Sequence, residues 1–106
     1  MDETEFNTLA EAELAEIEAA FEAADLDFDL APGGVLQVEF DDGSQIVINR
    51  HSAAREIWVA ARSGGFHFRA EGGRWVDTRN GEDLWVSLAA LASAQAGRAV
   101  ILQRGA

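Results

Sequence analysis

The sequence predicts an α+β fold in which two helices cover one face of an antiparallel sheet of about six strands. Apolar residues recur at three- and four-residue steps near both ends of the chain, and they alternate with polar residues in between. Glycine-rich turns separate the alternating segments. Strands joined by tight turns run antiparallel, so both helices can pack on the same face of a two-layer sandwich. We expect a single domain spanning residues 1–106.

A first helix is predicted from Asp2 to about Ala24, with an apolar face of amphipathic period: Phe6, Leu9, Ala10, Leu14, Ile17, Phe21 and Ala24. Asp2 followed by Glu5 is typical of a helix start, where a side-chain oxygen accepts a free backbone N–H. Three glutamates of the polar side fall within about 40° of one another and form an acidic stripe: Glu11, Glu18 and Glu22.

The middle of the chain alternates with the period of two that is typical of half-buried strands. We predict strands at residues 25–30, 35–40, 44–49, 55–62 and 66–70, and a short one around Trp75. The first strand points Leu26, Phe28 and Leu30 inward. Turns are expected at residues 32–34, 42–43, 64–65 and 72–73, all of which contain glycine.

A second helix is predicted from Glu82 to about Ala96, ended by Gly97. We expect the apolar segment Val100-Ile101-Leu102 to lie against the core. If both helices cover one face of the sheet, the other face remains in solvent. That open face would carry Gln45, Asn49, Trp58, His67 and Arg69.

Charge is segregated along the chain. Residues 1–49 hold fourteen acidic residues and no basic one, whereas the rest holds eight Arg and five acids, so −14 + 3 gives the net charge of −11. The first part of the chain therefore favours a cationic partner, either metal ions or a basic protein surface. It disfavours nucleic acid and anionic membranes.

Several classes of chemistry are excluded by composition. The chain has no Cys, which rules out disulfides, thiolate ligands for metals or clusters, and a cysteine nucleophile. Because it has no membrane-length apolar run and no basic-then-apolar leader, we expect a cytosolic protein. We find no catalytic constellation and expect no enzymatic activity of its own.

The first candidate site is a set of carboxylates that suits hard or intermediate cations such as Fe²⁺ and Fe³⁺, with other divalent cations as competitors. Spread over a convex surface, these groups predict weak binding at several sites. The alternative is a solvated face that only keeps the protein soluble. The candidate metal ligands are Glu11, Glu18, Glu22, Asp25, Asp27, Asp29, Asp41 and Asp42.

The second candidate is a flat polar and aromatic patch on the open sheet face, formed by Asn49, Trp58, His67 and Arg69. Trp and Arg are favoured anchors of protein interfaces. The alternatives are that Trp58 folds over a neighbouring strand and that His67, like His51, is incidental. We assign Trp75 and Trp85 to the core or its rim.

The order of motifs resembles the frataxin family, in its bacterial CyaY type. The resemblance rests on residues 33–36, 40–44, 46–50, 57–60 and 64–68, and it extends from Glu5-Phe6 to Gln95-Ala96-Gly97. It implies the same helix-sheet-helix sandwich. It also implies a mainly monomeric protein that binds iron weakly through an acidic ridge and oligomerises, if at all, with iron.

By the same resemblance, the protein regulates iron-sulfur cluster assembly by docking on the cysteine desulfurase. The acidic ridge would comprise Glu18, Glu22, Asp25, Asp27 and Asp29. Together with Glu18 and Glu22, the patch around Asn49 and Trp58 would face the desulfurase and the iron-sulfur scaffold protein.

Two departures from the family pattern matter. Ala19 and Ala23 stand where relatives often carry further acids, so we expect a lower metal stoichiometry. His51 stands where Gln is common and would add a pH-dependent ligand or contact.

Two other functions remain open. One is iron storage or detoxification by ferroxidase-like oxidation and metal-driven oligomerisation, and the other is mimicry of a nucleic acid.

Overall fold

The computed structural model describes residues 1–105. Within this range, two helices flank six strands: α1 Glu3–Ala23, β1 Asp27–Ala31, β2 Val35–Glu39, β3 Gln45–His51, β4 Glu56–Ala61, β5 Gly64–Glu71, β6 Arg74–Asp77 and α2 Leu84–Ala96. The strands form one sheet in chain order, and each neighbouring pair is antiparallel. The predicted α+β architecture is confirmed.

The core lies between the helices and one face of the sheet. Alternate strand residues reach this layer and are at most 2% exposed: Leu36, Val38, Ile46, Ile48, Ile57, Val59 and Phe68. They pack with Phe6, Ile17 and Phe21 of α1 and with Leu84 and Leu88 of α2. Burying each large apolar side chain contributes about 1.5–3 kcal/mol, so this one layer supplies most of the driving force for folding.

Both helices begin at an aspartate. The Asp2 carboxylate accepts the Glu5 backbone N–H at 2.8 Å, as the sequence predicted. Helix α2 begins at Leu84 rather than Glu82, because the Asp83 carboxylate accepts the Trp85 N–H at 2.9 Å and caps the helix there. It ends at Gly97, whose φ of 68° lies in the left-handed region that glycine adopts at little cost.

Three local predictions are wrong. Asp25 is not in a strand: it adopts a φ of 58° in the turn after α1, a conformation that Asp tolerates better than most residues. The turn between β4 and β5 is Arg62-Ser63, because Ala61 pairs with Gly64 and both predicted turn glycines belong to β5. Leu30 is 57% exposed because it lies on the outermost strand, at the margin of the helical layer.

The C-terminal segment is only partly packed. Val100 is buried and Leu102 is half-buried against the core, but Ile101 between them is 72% exposed. The expectation that all three residues lie against the core is therefore correct for two of them.

The two edges of the sheet differ. On the β6 side, the Asp77 N–H donates to the Glu82 carbonyl at 2.8 Å, and Val76 forms a further bridge with Asp83. On the β1 side, Asp27 and Asp29 are exposed. No helix within residues 1–105 is long and apolar enough to cross a membrane.

A polar clasp joins the chain end to both helices. Glu13 of α1 is only 7% exposed, and it accepts Trp85 Nε1–H at 2.6 Å and Arg104 Nη1–H at 2.7 Å. The Arg104 guanidinium also lies 5.1 Å from the Trp85 ring centroid. The hydrogen bonds to Glu13 raise the pKa of Arg104 above its usual value because they favour the charged form.

We expect Arg104→Ala to lower the free energy of unfolding by about 1–2 kcal/mol, because it leaves the buried Glu13 without its main partner. This loss of stability is smaller than that from breaking a fully buried ion pair, since Arg104 is half exposed. Urea denaturation followed by circular dichroism measures the change. The exposed Arg74→Ala serves as control and should change stability by less than about 0.5 kcal/mol; equal effects would mean that the clasp contributes nothing.

Candidate functional site

The C-terminal half of α1 carries the helical part of the predicted metal site. Glu22 is exposed, and Glu18 is half-buried beside a groove that Leu30 and Leu36 also line. Glu11 lines the same groove but forms a salt bridge with Arg50. This cation comes from β3, 39 residues away, so helix periodicity could not predict it. Glu11 is therefore partly neutralised and is the weakest metal candidate on the helix.

Three further carboxylates of the predicted site, Asp25, Asp27 and Asp41, meet at a cleft between the α1–β1 turn and the β2–β3 turn. We call it the acidic cleft; its volume is about 170 Å³ and it is lined by Asp25, Leu26, Asp27, Glu39, Phe40, Asp41, Ala96 and Arg98. The strand register pairs Asp27 directly with Glu39. A water molecule takes up about 30 Å³ in the liquid, so the acidic cleft has room for a cation that keeps part of its hydration shell.

Asp29 and Asp42 lie outside the lining of the acidic cleft. Asp29 is exposed on β1 opposite Gln37, two residues beyond Asp27. Asp42 Oδ1 accepts the Ser44 hydroxyl at 2.6 Å and the Ser44 N–H at 2.9 Å, while Oδ2 pairs with Arg62. The hydrogen bond from the Ser44 hydroxyl, followed by that from the Ser44 N–H, lowers the pKa of Asp42. Its oxygens are already engaged in shaping the turn.

Chemically, this surface offers oxygen ligands without a preformed cage. Across residues 1–105, no three acidic or histidine side chains converge closely enough to hold a metal ion as they stand. Carboxylates suit hard cations, but an open arrangement leaves most of the coordination to water. Arg98 in the same cleft opposes a cation further. The donor set therefore fits weak binding of a partly hydrated ion.

The open sheet face carries the second candidate site. Asn49, Trp58 and His67 are direct cross-strand neighbours on β3, β4 and β5. The His67 ring stacks on Trp58 with centroids 4.4 Å apart and planes at 8°. On the opposite face of Trp58, the His51 ring stacks at 3.8 Å and 10°. The two imidazoles thus enclose the indole, and we call this arrangement the histidine–tryptophan stack.

Glu56 fixes the indole from the side. Its Oε1 accepts Trp58 Nε1–H at 2.8 Å and lies 3.5 Å from His67 Nδ1. Arg69 extends the same face and donates to Glu71 at 2.9 Å. The structure therefore places all four predicted patch residues on one face of the sheet. Trp58 also folds against residues of the neighbouring strands, as the alternative interpretation expected, and these residues are His51 and His67.

Comparison with known proteins assigns the fold to a family. A family model described as "Frataxin-like domain" matches residues 1–98. This chain belongs to the frataxin family. It is 62% identical over 105 residues to the iron-sulfur cluster assembly protein CyaY of Dechloromonas aromatica, an alignment that covers 97% of this chain and all of that protein.

Solved structures agree. Frataxin from Psychromonas ingrahamii matches with a TM-score of 0.88 and 28% identity, covering 98% of this chain and 100% of that one. Trimeric frataxin from Saccharomyces cerevisiae, in a ferrous complex, matches with a TM-score of 0.65 and 28% identity over 89% of this chain and 87% of that one.

The structure adds three residues that the sequence analysis of this frataxin did not assign to a site. Glu39 and Arg98 join the acidic cleft, and Glu56 joins the histidine–tryptophan stack. His51, which the sequence predicted to add a ligand or contact, completes that stack. Strand register was the available signal for Glu39 and Glu56, since β1 and β2 bring Asp27 beside Glu39 and β3 and β4 bring His51 beside Glu56. Arg98 follows α2, and no local pattern relates it to the first strands.

We expect the Asp42 carboxyl of this frataxin to titrate below its usual value of 3.8. Because the folded-state pKa is depressed, its stabilising contribution is present above the unfolded-state pKa and is lost as the pH falls through the folded-state pKa. Ser44→Ala should raise the pKa of Asp42 towards the usual value. Carboxyl-detected NMR titration measures it, with the remote Thr8→Ala as control; an unchanged pKa in Ser44→Ala would contradict the assignment.

Proposed function

We propose that this frataxin-family protein is an iron-binding adaptor that regulates iron-sulfur cluster assembly by docking its acidic ridge on a cysteine desulfurase. The observation that carries the proposal is a continuous line of carboxylates, all exposed except the half-buried Glu18, from α1 through the turn after it to β1. They run from Glu18 and Glu22 on α1, around the Asp25 turn, to Asp27 and Asp29 on β1. The relatives named as iron-sulfur cluster assembly proteins support the biological setting.

Docking follows from the charge of the ridge. Opposite charge on a partner accelerates encounter and selects the correct surface, and both effects weaken with salt. Three arginines form side-chain ion pairs with acids of residues 1–49: Arg50 with Glu11, Arg62 with Asp42, and Arg104 with Glu13. None of these acids belongs to the ridge. The acidic ridge is thereby left to a partner, and a basic surface on the desulfurase is the complement.

Iron binding follows from the same carboxylates. The acidic cleft brings Glu39 and Asp41 beside Asp25 and Asp27, and it has room for a partly hydrated ion. Because iron and a basic protein surface would use some of the same groups, binding of either opposes binding of the other by linkage. This competition gives the adaptor a means of sensing iron.

The sheet patch would complete the complex. Asn49, Trp58, His67 and Arg69 lie on the open face and carry the residue types that anchor interfaces. In the proposed complex, this face is turned towards the desulfurase and its iron-sulfur scaffold protein.

We expect the double charge reversal Glu18→Lys with Glu22→Lys to weaken desulfurase binding about five- to thirtyfold at low salt, because two attractive charges at the interface become repulsive. The loss should shrink as the salt concentration rises, since screening removes both attraction and repulsion. Calorimetric titration of the desulfurase at two or more salt concentrations measures it.

The matched control is Glu3→Lys with Glu5→Lys. It changes the net charge by the same amount, but on the first turn of α1, about 20–22 Å along the helix from Glu18 at 1.5 Å per residue. If both double variants weaken binding equally, only net charge matters and the ridge is not the docking surface.

We expect anaerobic addition of Fe²⁺ to the ¹⁵N-labelled protein, at fixed ionic strength, to broaden amide signals of residues 18–29 and 39–42. Proximity to a paramagnetic ion broadens signals, and these residues border the acidic cleft and ridge. Asp27→Asn with Asp41→Asn should weaken binding several-fold. Asp29→Asn, which removes a charge from the same strand outside the cleft, should weaken it less.

Two outcomes would contradict this assignment of iron. Broadening centred on His51 and His67 would place the ion on the sheet face, and no broadening would reduce the carboxylates to a docking surface. Sustained Fe²⁺ oxidation with ordered multimers on admission of air would instead favour iron storage.

A further inference from the structure

The outer edge of β1 has no neighbouring strand within residues 1–105. β2 is the only strand that pairs with β1, and no backbone hydrogen bond formed outside the helices and strands reaches residues 27–31. Only alternate residues of an antiparallel strand direct their N–H and C=O groups towards a given neighbour, so the other residues of β1 present theirs outward. β1 therefore has backbone groups available for one further strand.

The side chains of β1 differ in character between the two faces of the sheet. On the helical side, Phe28 packs against the core, and Leu30 lies opposite the core residue Leu36. Asp27 and Asp29 occupy alternate positions of the strand and are exposed. Neither aspartate forms a side-chain ion pair within residues 1–105. A strand added beside β1 would meet apolar groups on one face and unpaired carboxylates on the other.

A groove between α1 and this edge is suited to an apolar side chain. Its volume is about 170 Å³, and its lining is mostly apolar: Leu14, Ala15, Leu30, Gly34 and Leu36, with Glu11, Glu18 and Arg50. Glu11 and Arg50 pair with each other, so Glu18 supplies the uncompensated charge. Leu30 is 57% exposed, and an aliphatic side chain placed beside it would remove apolar surface from water, which favours binding.

The carboxylates select which kind of strand can pair. Opposite charges directly across a strand pair stabilise it, and like charges destabilise it. A second copy of β1 would bring its own Asp27 and Asp29 to the same interface, so self-pairing is opposed. A strand with Lys or Arg at alternate positions would place cations beside both aspartates. Its intervening residues would point to the helical side, because successive side chains of a strand alternate between faces.

We propose that the β1 edge binds an extended segment of a partner protein as a seventh strand, and that this segment alternates basic and apolar residues. The basic side chains lie beside Asp27 and Asp29, and one apolar side chain enters the groove beside Leu30. The inference rests on the proposed function, in which a basic partner contacts the ridge. It adds backbone pairing and a sequence pattern that charge attraction alone does not require.

Two capped peptides of equal composition test the pattern: Lys-Val-Lys-Val-Lys, which alternates, and Val-Val-Lys-Lys-Lys, which does not. We expect the alternating peptide, titrated into the ¹⁵N-labelled protein, to shift the amide signals of residues 27–31 and to slow hydrogen exchange at every second amide of β1. Its affinity should be about three- to tenfold higher than that of the other peptide, because only the alternating one makes cross-strand contacts on both faces.

N-Methylation tests backbone pairing at constant charge. One version of the alternating peptide is methylated on both valine amides, and another on the amides of the second and third lysines. In an extended strand these two sets of N–H groups point to opposite edges. One version should therefore lose binding by about tenfold or more, and the other should bind as the parent peptide does.

Variants of β1 locate the site. Asp29→Lys should weaken binding of the alternating peptide about three- to tenfold, and Glu3→Lys, with the same change of charge on the first turn of α1, should weaken it less. Leu30→Asn should weaken it about two- to fivefold. Leu9→Asn, at an exposed leucine of α1 outside the groove, should leave it unchanged. Circular dichroism checks that each variant is folded.

The inference is overturned if the two peptides of equal composition bind alike, if both methylated versions bind alike, or if the shifts are centred outside residues 27–31. Its failure is distinguishable from failure of the proposed function. If the ridge variants weaken desulfurase binding while the peptides do not discriminate, docking stands and strand addition is wrong. If the peptides discriminate while desulfurase binding ignores the ridge variants, the edge site stands and the proposed partner is wrong.

Discussion

One-sided burial is the constraint on which the rest of the structure depends. Among residues 1–105, both helices pack on the same face of the sheet. The inward residues of strands β2 to β5 pack against these helices in the core. The outward residues must then be stable in water, which is why Gln37, Gln45 and Asn49 occupy them. Both candidate sites are products of this arrangement. The acidic ridge forms where α1 turns into the edge strand, and the histidine–tryptophan stack forms on the uncovered face.

Folding redistributes the charge that is segregated in the sequence. Three ion pairs each join an acid of the first 49 residues to an arginine of the rest: Glu11 with Arg50, Asp42 with Arg62, and Glu13 with Arg104. These contacts shape a groove, a turn and the packing of the chain end. None of the five ridge carboxylates forms a side-chain ion pair within residues 1–105. Their mutual repulsion opposes folding and is offset by the apolar core. A surface with this cost is expected where binding requires it.

The sequence was a good guide wherever one periodic pattern decided the structure. The spacing of apolar residues correctly predicted helix α1 and the inward-facing residues of β2 to β4. The glycine at position 97 correctly predicted the end of α2. Prediction was wrong where tertiary structure outweighed the local pattern. Asp25 lies in the turn that reverses the chain after α1, not in a strand. Leu30 is exposed because it lies at the margin of the sheet. For the sites, spacing placed Trp58 and His67 on one face. It could not show that their rings stack, because stacking depends on register and side-chain rotamers together.

The contrast between the two sheet edges has a consequence for the integrity of the fold in concentrated solution. The β6 edge is closed by backbone hydrogen bonds to Glu82 and Asp83, a protection that persists as long as the fold does. The β1 edge instead relies on Asp27 and Asp29, and charged side chains are one means by which proteins prevent edge-to-edge strand pairing. Protection by charge lasts only while the charge does. Acid or a high concentration of polyvalent cations removes it, so aggregation of this protein should begin at β1.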